Sequence, residues 1–148
     1  MLKIYLDTNV WGRPFDAPSQ RIINETNAFF KILERGFEGE LTIVGSVVLD
    51  VEVGNMEEVE KKTAIEQLLA LLVSEKIYDV SISKLKEIKL MGLKLPDASH
   101  IACTITGECK YFISCDDDVL RKGKEIEKRY GIRVCGPVEF IKMEEEKW

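Results

Sequence analysis

Short apolar runs alternate with longer amphipathic stretches along the whole chain. The apolar runs predict strands near residues 2–6, 41–45 and 110–115, and a last short run follows in IRVCG, residues 132–136. The amphipathic stretches predict helices near residues 20–35, 47–54, 60–73, 83–91, 97–106 and 118–130, and PVEF at 137–140 opens a final one. This alternation is typical of an α/β fold, a three-layer α/β/α sandwich with a central parallel sheet.

Length and composition narrow the class of protein. At 148 residues the chain predicts a single domain over residues 1–148, which would bury about 70% of its unfolded surface. Hydrophobic residues make up 45% of the chain, and no apolar run approaches the ~20 residues of a membrane span. The strand-like start LKIYL has no signal-peptide pattern. We therefore expect a soluble, cytoplasmic protein without a membrane partner.

Several common functional motifs are missing from the chain. It contains no GxGxxG, GxxxxGK[ST] or GxSxG pattern, which argues against dinucleotide binding, P-loop chemistry and α/β-hydrolase chemistry. The four cysteines form no CxxC pair and are predicted to be free, mostly buried thiols. The net charge of −5 disfavours nucleic-acid binding unless a cation reverses the field where a phosphate would lie.

Acidic residues lie at predicted strand ends and helix starts throughout the chain. They are Asp7 in KIYLDTN, Glu52 in SVVLDVE, Asp97 in LPDASH and Asp116 in YFISCDDD. In open α/β sheets, ligands bind beyond the carboxyl ends of the strands, so these carboxylates can meet at one edge. Oxygen ligands suit hard cations such as Mg²⁺ or Mn²⁺. The pattern therefore predicts metal-assisted hydrolysis of a phosphodiester.

Each acid also has a structural interpretation when taken alone. Asp7 and Asp118 can cap a turn or a helix, and Asp97 is stabilised by the dipole of the helix that it begins. Three adjacent carboxylates from Asp116 onward repel one another, which favours a bound cation. Spacing alone does not choose between Asp50 and Glu52, and the single histidine, His100, is interpreted as structural.

The ordered motifs LDTNV, an acid six positions after Ser46, PDASHIA and FISCDDD resemble those of PIN-domain ribonucleases, including the compact VapC-type toxins. The resemblance covers nearly the whole chain and favours Glu52, with Asp50 in reserve. It implies that four acids are catalytic and bind the metal: Asp7, Glu52, Asp97 and Asp116. It further implies a supporting set: Thr8, Asn9, Ser114 and Asp118.

The function implied by this resemblance is a divalent-metal-dependent endoribonuclease acting on single-stranded or loop RNA. A toxin paired with an antitoxin protein, and a homodimer, are extensions of the same resemblance. Basic residues that could guide the RNA are Arg13, Arg21, Lys84, Lys86, Arg121, Lys122 and Lys124. Arg121 and Lys122 are the preferred substrate contacts, because they follow Asp116 closely.

Two alternatives to a nuclease remain open from the sequence. The first is a non-catalytic, regulatory domain that binds RNA or a protein, and the complete set of acids argues against it. The second is a phosphatase of the haloacid-dehalogenase type, which needs a DxDx[TV] motif. The chain has Asn9 where the second aspartate of that motif belongs.

Overall fold

A five-stranded, all-parallel sheet forms the centre of the computed structural model, which describes residues 1–146. The strands are β1 (Leu2–Leu6), β2 (Leu41–Ser46), β3 (Val73–Ile77), β4 (Tyr111–Ile113) and β5 (Arg133–Cys135). They are arranged in the order β3-β2-β1-β4-β5, and each neighbouring pair is parallel. Helices cover the sheet, so the predicted three-layer α/β/α architecture is confirmed.

The helices follow the strands closely in sequence. Those in the first half are α1 (Thr8–Gly12), a 3₁₀ turn (Arg13–Phe15), α2 (Gln20–Phe37), α3 (Val47–Gly54) and α4 (Val59–Leu72). Those in the second half are α5 (Ile82–Lys89), α6 (Leu95–Thr106), α7 (Asp117–Arg121), α8 (Gly123–Tyr130) and α9 (Pro137–Glu145). Within residues 1–146, no helix combines the length and apolar character needed to cross a membrane.

Two hydrophobic cores lie on opposite faces of the sheet. Ile4 and Leu6 of β1 belong to the core under α2, α4 and α9, whereas Tyr5 belongs to the core under α5, α6 and α8. This division follows from the two-residue period of a strand, which sends alternate side chains to opposite faces. Because β1 is buried on both faces, its carboxyl end is a rigid place for a site.

The secondary-structure prediction is wrong at three places, and the first is the segment of α1 and the 3₁₀ turn, where no helix is predicted. Strand β3 was not predicted, because its residues Ser74, Glu75 and Lys76 are polar and exposed, as an edge strand allows. The single helix predicted over 118–130 is two helices, α7 and α8, separated at Lys122. The backbone turns there so that Gly123 packs on Val134, where an added Cβ would lie 3.4 Å from the Val134 carbonyl oxygen.

The prediction of free, buried cysteines is confirmed for all four.

Candidate active site

The three central strands end at polar residues along one edge of the sheet. β2 ends at Ser46, while β1 and β4 lead directly into Asp7 and Ser114. The Asp7 amide donates to the Ile113 carbonyl oxygen at 2.8 Å, which aligns the ends of β1 and β4. The order of strands reverses between β1 and β4, so this edge contains the topological switch point where open α/β sheets bind ligands.

Asp7 is buried, with an exposed fraction of 3%, and both of its carboxylate oxygens accept hydrogen bonds. Oδ1 accepts from the Thr8 amide at 2.8 Å, and Oδ2 accepts from the Ser114 hydroxyl at 2.8 Å and from Asn9 Nδ2 at 3.2 Å. Burial raises the pKa of Asp7, against the opposing effects of His100 and Ser114. The structure therefore places three of the predicted supporting residues around this carboxylate.

Ser114 and Asn9 connect the turn after β1 to the turn after β4. Asn9 Oδ1 accepts from the Cys115 amide at 2.9 Å, and the Ser114 hydroxyl accepts from the Asp116 amide at 3.1 Å. Ser114 is fully buried. These bonds hold Asp7 and the backbone of Asp116 in one arrangement.

The three consecutive aspartates after β4 have different partners. Asp116 caps α7 by accepting from the Asp118 amide at 2.8 Å. Arg21 donates to both oxygens of Asp117, at 3.0 and 2.8 Å, and lowers its pKa. Arg121 pairs with Asp118, whose side chain is 67% exposed. Arginines thus neutralise two of the three charges, so the repulsion that was expected to favour a bound cation is largely relieved by the protein itself. The Asp118 carboxylate pairs with Arg121, whereas its amide donates to Asp116.

Asp97 lies in the first turn of α6, directly after Pro96, as the sequence predicts. Its pKa is raised to about 6 by partial burial and by the negative charges of Asp7 and Asp116, whereas His100 and Lys94 oppose the shift. Three acids from three separate segments therefore lie within electrostatic reach of one another. We call Asp7, Glu52, Asp97 and Asp116 the acid cluster.

The structure distinguishes Glu52 from Asp50, which the spacing did not. Glu52 Oε1 accepts from the Thr8 hydroxyl at 3.1 Å and pairs with His100 Nε2. Asp50 instead pairs with Lys76 Nζ at 2.7 Å. Residues two apart on a helix are rotated by about 200° around its axis, so Asp50 and Glu52 face nearly opposite sides of α3. Burial raises the pKa of Glu52, but the bonds from His100 and Thr8 outweigh burial and lower it.

His100 lies beside Glu52 and Asp7 of the acid cluster, whereas the sequence indicates only a structural role for it. Its side chain is 1% exposed, and Nε2 lies 3.2 Å from the Thr8 hydroxyl and 3.8 Å from Asp7 Oδ1. Burial lowers its pKa, but Glu52 and Asp7 outweigh burial and raise it. The sequence contained a signal for this role, since His100 lies three residues after Asp97 and therefore on the same helix face.

The basic residues predicted to contact RNA differ in whether acidic side chains of the protein already bind them. Arg13 pairs with Glu25 and Asp16, and Arg21 pairs with Asp117, so internal partners already use both of these arginines. Arg121 pairs with Asp118, an exposed neighbour on its own helix, and its side chain is 70% exposed.

Lys122 is half-buried at the junction of α7 and α8. It reaches the loop before α6, where a Cβ added to Gly92 would lie 3.5 Å from its Nζ. Arg121 and Lys122 therefore lie at the C-terminal end of α7, the helix that Asp116 caps.

The acid cluster consists of oxygen donors, which are the ligands of hard cations. Within residues 1–146, however, no three His, Cys, Asp or Glu side chains are arranged to hold a metal ion by themselves. Hydrogen bonds from the protein already occupy Asp7 and Glu52. Mg²⁺ is commonly held by one or two carboxylates and several waters, so the donors fit this ion without a closed protein cage.

No protein-family model matches this chain, and a comparison with curated proteins gives no match. The resemblance to PIN-domain ribonucleases is therefore carried by the motifs alone.

Proposed function

We propose that this protein is a divalent-metal-dependent endoribonuclease whose active centre is the acid cluster. The observation that carries the proposal is the meeting of four acids from separate segments at the switch point of the sheet. Asp7 follows β1, Glu52 is on α3, Asp97 begins α6 and Asp116 follows β4. A fold stabilised only by its core gains nothing from placing Asp7 and Asp116 where they raise the pKa of Asp97.

The residues that would hold Mg²⁺ or Mn²⁺ are Asp7, Glu52, Asp97 and Asp116. Such an ion supplies Lewis-acid polarisation of a phosphate and a source of hydroxide at neutral pH. The chain contributes orientation: Ser114, Asn9 and the Thr8 amide fix Asp7, and Thr8 also donates to Glu52. Because the Asp97 pKa is about 6, a bound cation would also relieve repulsion that the protein alone leaves in place.

The substrate that we propose is single-stranded or loop RNA. The site lies at an edge of the sheet where Asp97 and Asp116 are only partly buried, so an extended phosphate backbone could approach them. Arg121 and Lys122 would contact that backbone next to Asp116. A cytoplasmic location would give the enzyme access to such RNA. The toxin role, the antitoxin partner and the homodimer remain proposals that follow from the resemblance.

The test is cleavage of an end-labelled pool of single-stranded RNA in Mn²⁺, Mg²⁺ or EDTA. We expect cleavage with the metals, none with EDTA, and loss of cleavage in Asp7→Asn and Asp116→Asn. The loss should exceed the roughly 100-fold that removal of an outer partner of a metal site can cost. Asp117→Asn is the matched control, because Asp117 is adjacent to Asp116 but pairs with Arg21, and it should cut like the wild type.

Thermal unfolding in EDTA distinguishes a lost site from a lost fold. Asp116→Asn should melt close to the wild type, since asparagine is also a good helix cap. Asp7→Asn should be stabilised or nearly unchanged, because burial of the Asp7 charge is unfavourable. If no metal supports cleavage, or if Asp117→Asn is as inactive as Asp116→Asn, the nuclease proposal fails. RNA or protein binding without cleavage would then support the regulatory alternative.

A further inference from the structure

A buried row of hydrogen-bonded side chains leads from the end of β2 through β1 to the acid cluster. The Tyr5 hydroxyl lies 2.6 Å from the Ser46 hydroxyl and 2.6 Å from His100 Nδ1. None of these three side chains is more than 1% exposed. Polar groups buried this deeply are costly unless paired, so three in a row form a specific arrangement rather than accidental contacts.

His100 faces Tyr5 with Nδ1 and Glu52 with Nε2, and the available protons determine which of these nitrogens is protonated. A tyrosine hydroxyl has one proton, so Tyr5 donates to one neighbour and accepts from the other. The ionised Glu52 carboxylate can only accept, so His100 Nε2 donates to it. Whether the Tyr5 hydroxyl donates to Ser46 or to His100, His100 Nδ1 is hydrogen-bonded to Tyr5 and the Nε2–H group donates to Glu52.

We propose that Tyr5 and His100 are positioning residues: they hold the Glu52 carboxylate beside Asp7 and thereby strengthen binding of a divalent cation by the acid cluster. The inference rests on the proposed nuclease function, because it concerns the same site. His100 Nε2 lies within reach of both carboxylates, 3.8 Å from Asp7 Oδ1 and paired with Glu52. Partners that orient metal ligands in this way typically contribute about 10- to 100-fold to metal affinity.

Tyr5→Phe is the variant that isolates this role. Phenylalanine keeps the ring that stacks on Phe112 at 5.9 Å between centroids, and it removes only the hydroxyl. Tyr111→Phe is the matched control, since Tyr111 is also a buried strand tyrosine but lies in the other core against Phe140. We expect Tyr5→Phe to bind Mn²⁺ about 10- to 100-fold more weakly by calorimetry, and Tyr111→Phe to stay within about twofold of the wild type.

His100 provides a spectroscopic readout that a purely structural role would not change. It is the only histidine of the chain, so its imidazole nitrogens give a single, unambiguous pair of NMR signals. In the wild type, Mg²⁺ should shift both signals, because it acts on the carboxylate to which Nε2 donates. In metal-free Tyr5→Phe, the Nδ1 signal should already differ from that of the wild type.

The outcomes separate this inference from the nuclease proposal. Wild-type protein that binds Mn²⁺ more tightly than Tyr5→Phe but cuts no RNA would refute the nuclease and support the positioning role. Cleavage together with unchanged Mn²⁺ affinity in Tyr5→Phe would refute the positioning role alone. If Tyr5→Phe does not fold, the wild-type signals decide: no response of the His100 imidazole to Mg²⁺ overturns the inference.

Discussion

The turn after β1 and the turn after β4 both present carboxylates at the switch point, but different kinds of groups bond to the carboxylates in the two turns. The turn after β1 has one acid, Asp7, which is buried and bonded by neutral donors. The turn after β4 has three acids, of which Asp117 and Asp118 are exposed and paired with arginines. Of these three acids, Asp116 contributes to the raised pKa of Asp97.

This difference shows that the number of acids in a motif is a poor guide to the charge of a site. Neutral donors such as Ser114 orient a carboxylate and leave its charge uncompensated, whereas an arginine removes the charge from the local field. The DDD run is the most conspicuous acidic feature of the chain. Single acids in less conspicuous segments nevertheless make up most of the acid cluster.

The largest effect on stability is expected where the two turns are joined. Ser114→Ala removes the bond to Asp7 and the acceptor for the Asp116 amide, and it leaves buried polar groups without partners. We expect the free energy of unfolding to fall by about 1–3 kcal/mol in urea denaturation. Ser83→Ala, at an exposed site on α5, should change it by less than about 0.5 kcal/mol. Equal effects of the two variants would show that the turns are not joined through Ser114.

A smaller effect, of opposite sign, is expected at Asp97. Its folded-state pKa of about 6 lies above its ordinary value of 3.8, so the ionised side chain destabilises the fold. The cost is absent below about pH 3.8, grows as the pH rises through about 6, and is complete above that. In EDTA at pH 7.5, Asp97→Asn should therefore be more stable by about 1 kcal/mol, a value reduced for screening by solvent.

The pH dependence is the control for this prediction. Urea denaturation of Asp97→Asn and the wild type should nearly converge at pH 3.5, where the carboxyl group is mostly neutral in both folded and unfolded states. A stability difference that is the same at pH 3.5 and pH 7.5 would mean that the substitution acts through packing and not through the charges of Asp7 and Asp116.

The smallest effect on stability is expected at the exposed pair of Arg121 and Asp118. Arg121→Ala should change the free energy of unfolding by less than about 0.5 kcal/mol, because both side chains are well exposed. If Arg121 contacts RNA, binding in Ca²⁺ should weaken, and the slope of log K against log salt should become shallower by about 0.7.

Arg129→Ala is the matched control for that measurement. Arg129 lies on α8, its side chain is about half exposed, and it pairs with Glu87 at 4.0 Å. Its removal should leave the salt dependence of RNA binding unchanged. The same loss of slope in both variants would indicate a diffuse electrostatic effect rather than a substrate contact at Arg121.

Much of the fold could be predicted because its signals are local. The apolar run LKIYL and the helical spacing of Ala98, Ile101 and Ala102 predict buried elements, and all three helix residues are fully buried. Strand β3 escaped prediction because an edge strand with solvent-facing polar residues has no apolar pattern. The separation of α7 from α8 at Lys122 is not predictable locally, because it depends on packing of Gly123 against a strand that follows it in sequence.

The sequence by itself determined the layered α/β architecture and the placement of acids at strand ends, since both follow from short-range periodicity. Only the tertiary structure decided which side chains meet. It paired Glu52 with His100 and Asp50 with Lys76, neutralised Asp117 through Arg21, and brought Tyr5 to His100. The physical reason is that these partners, 26 to 96 positions apart, are set by strand order and helix packing, which no local pattern encodes.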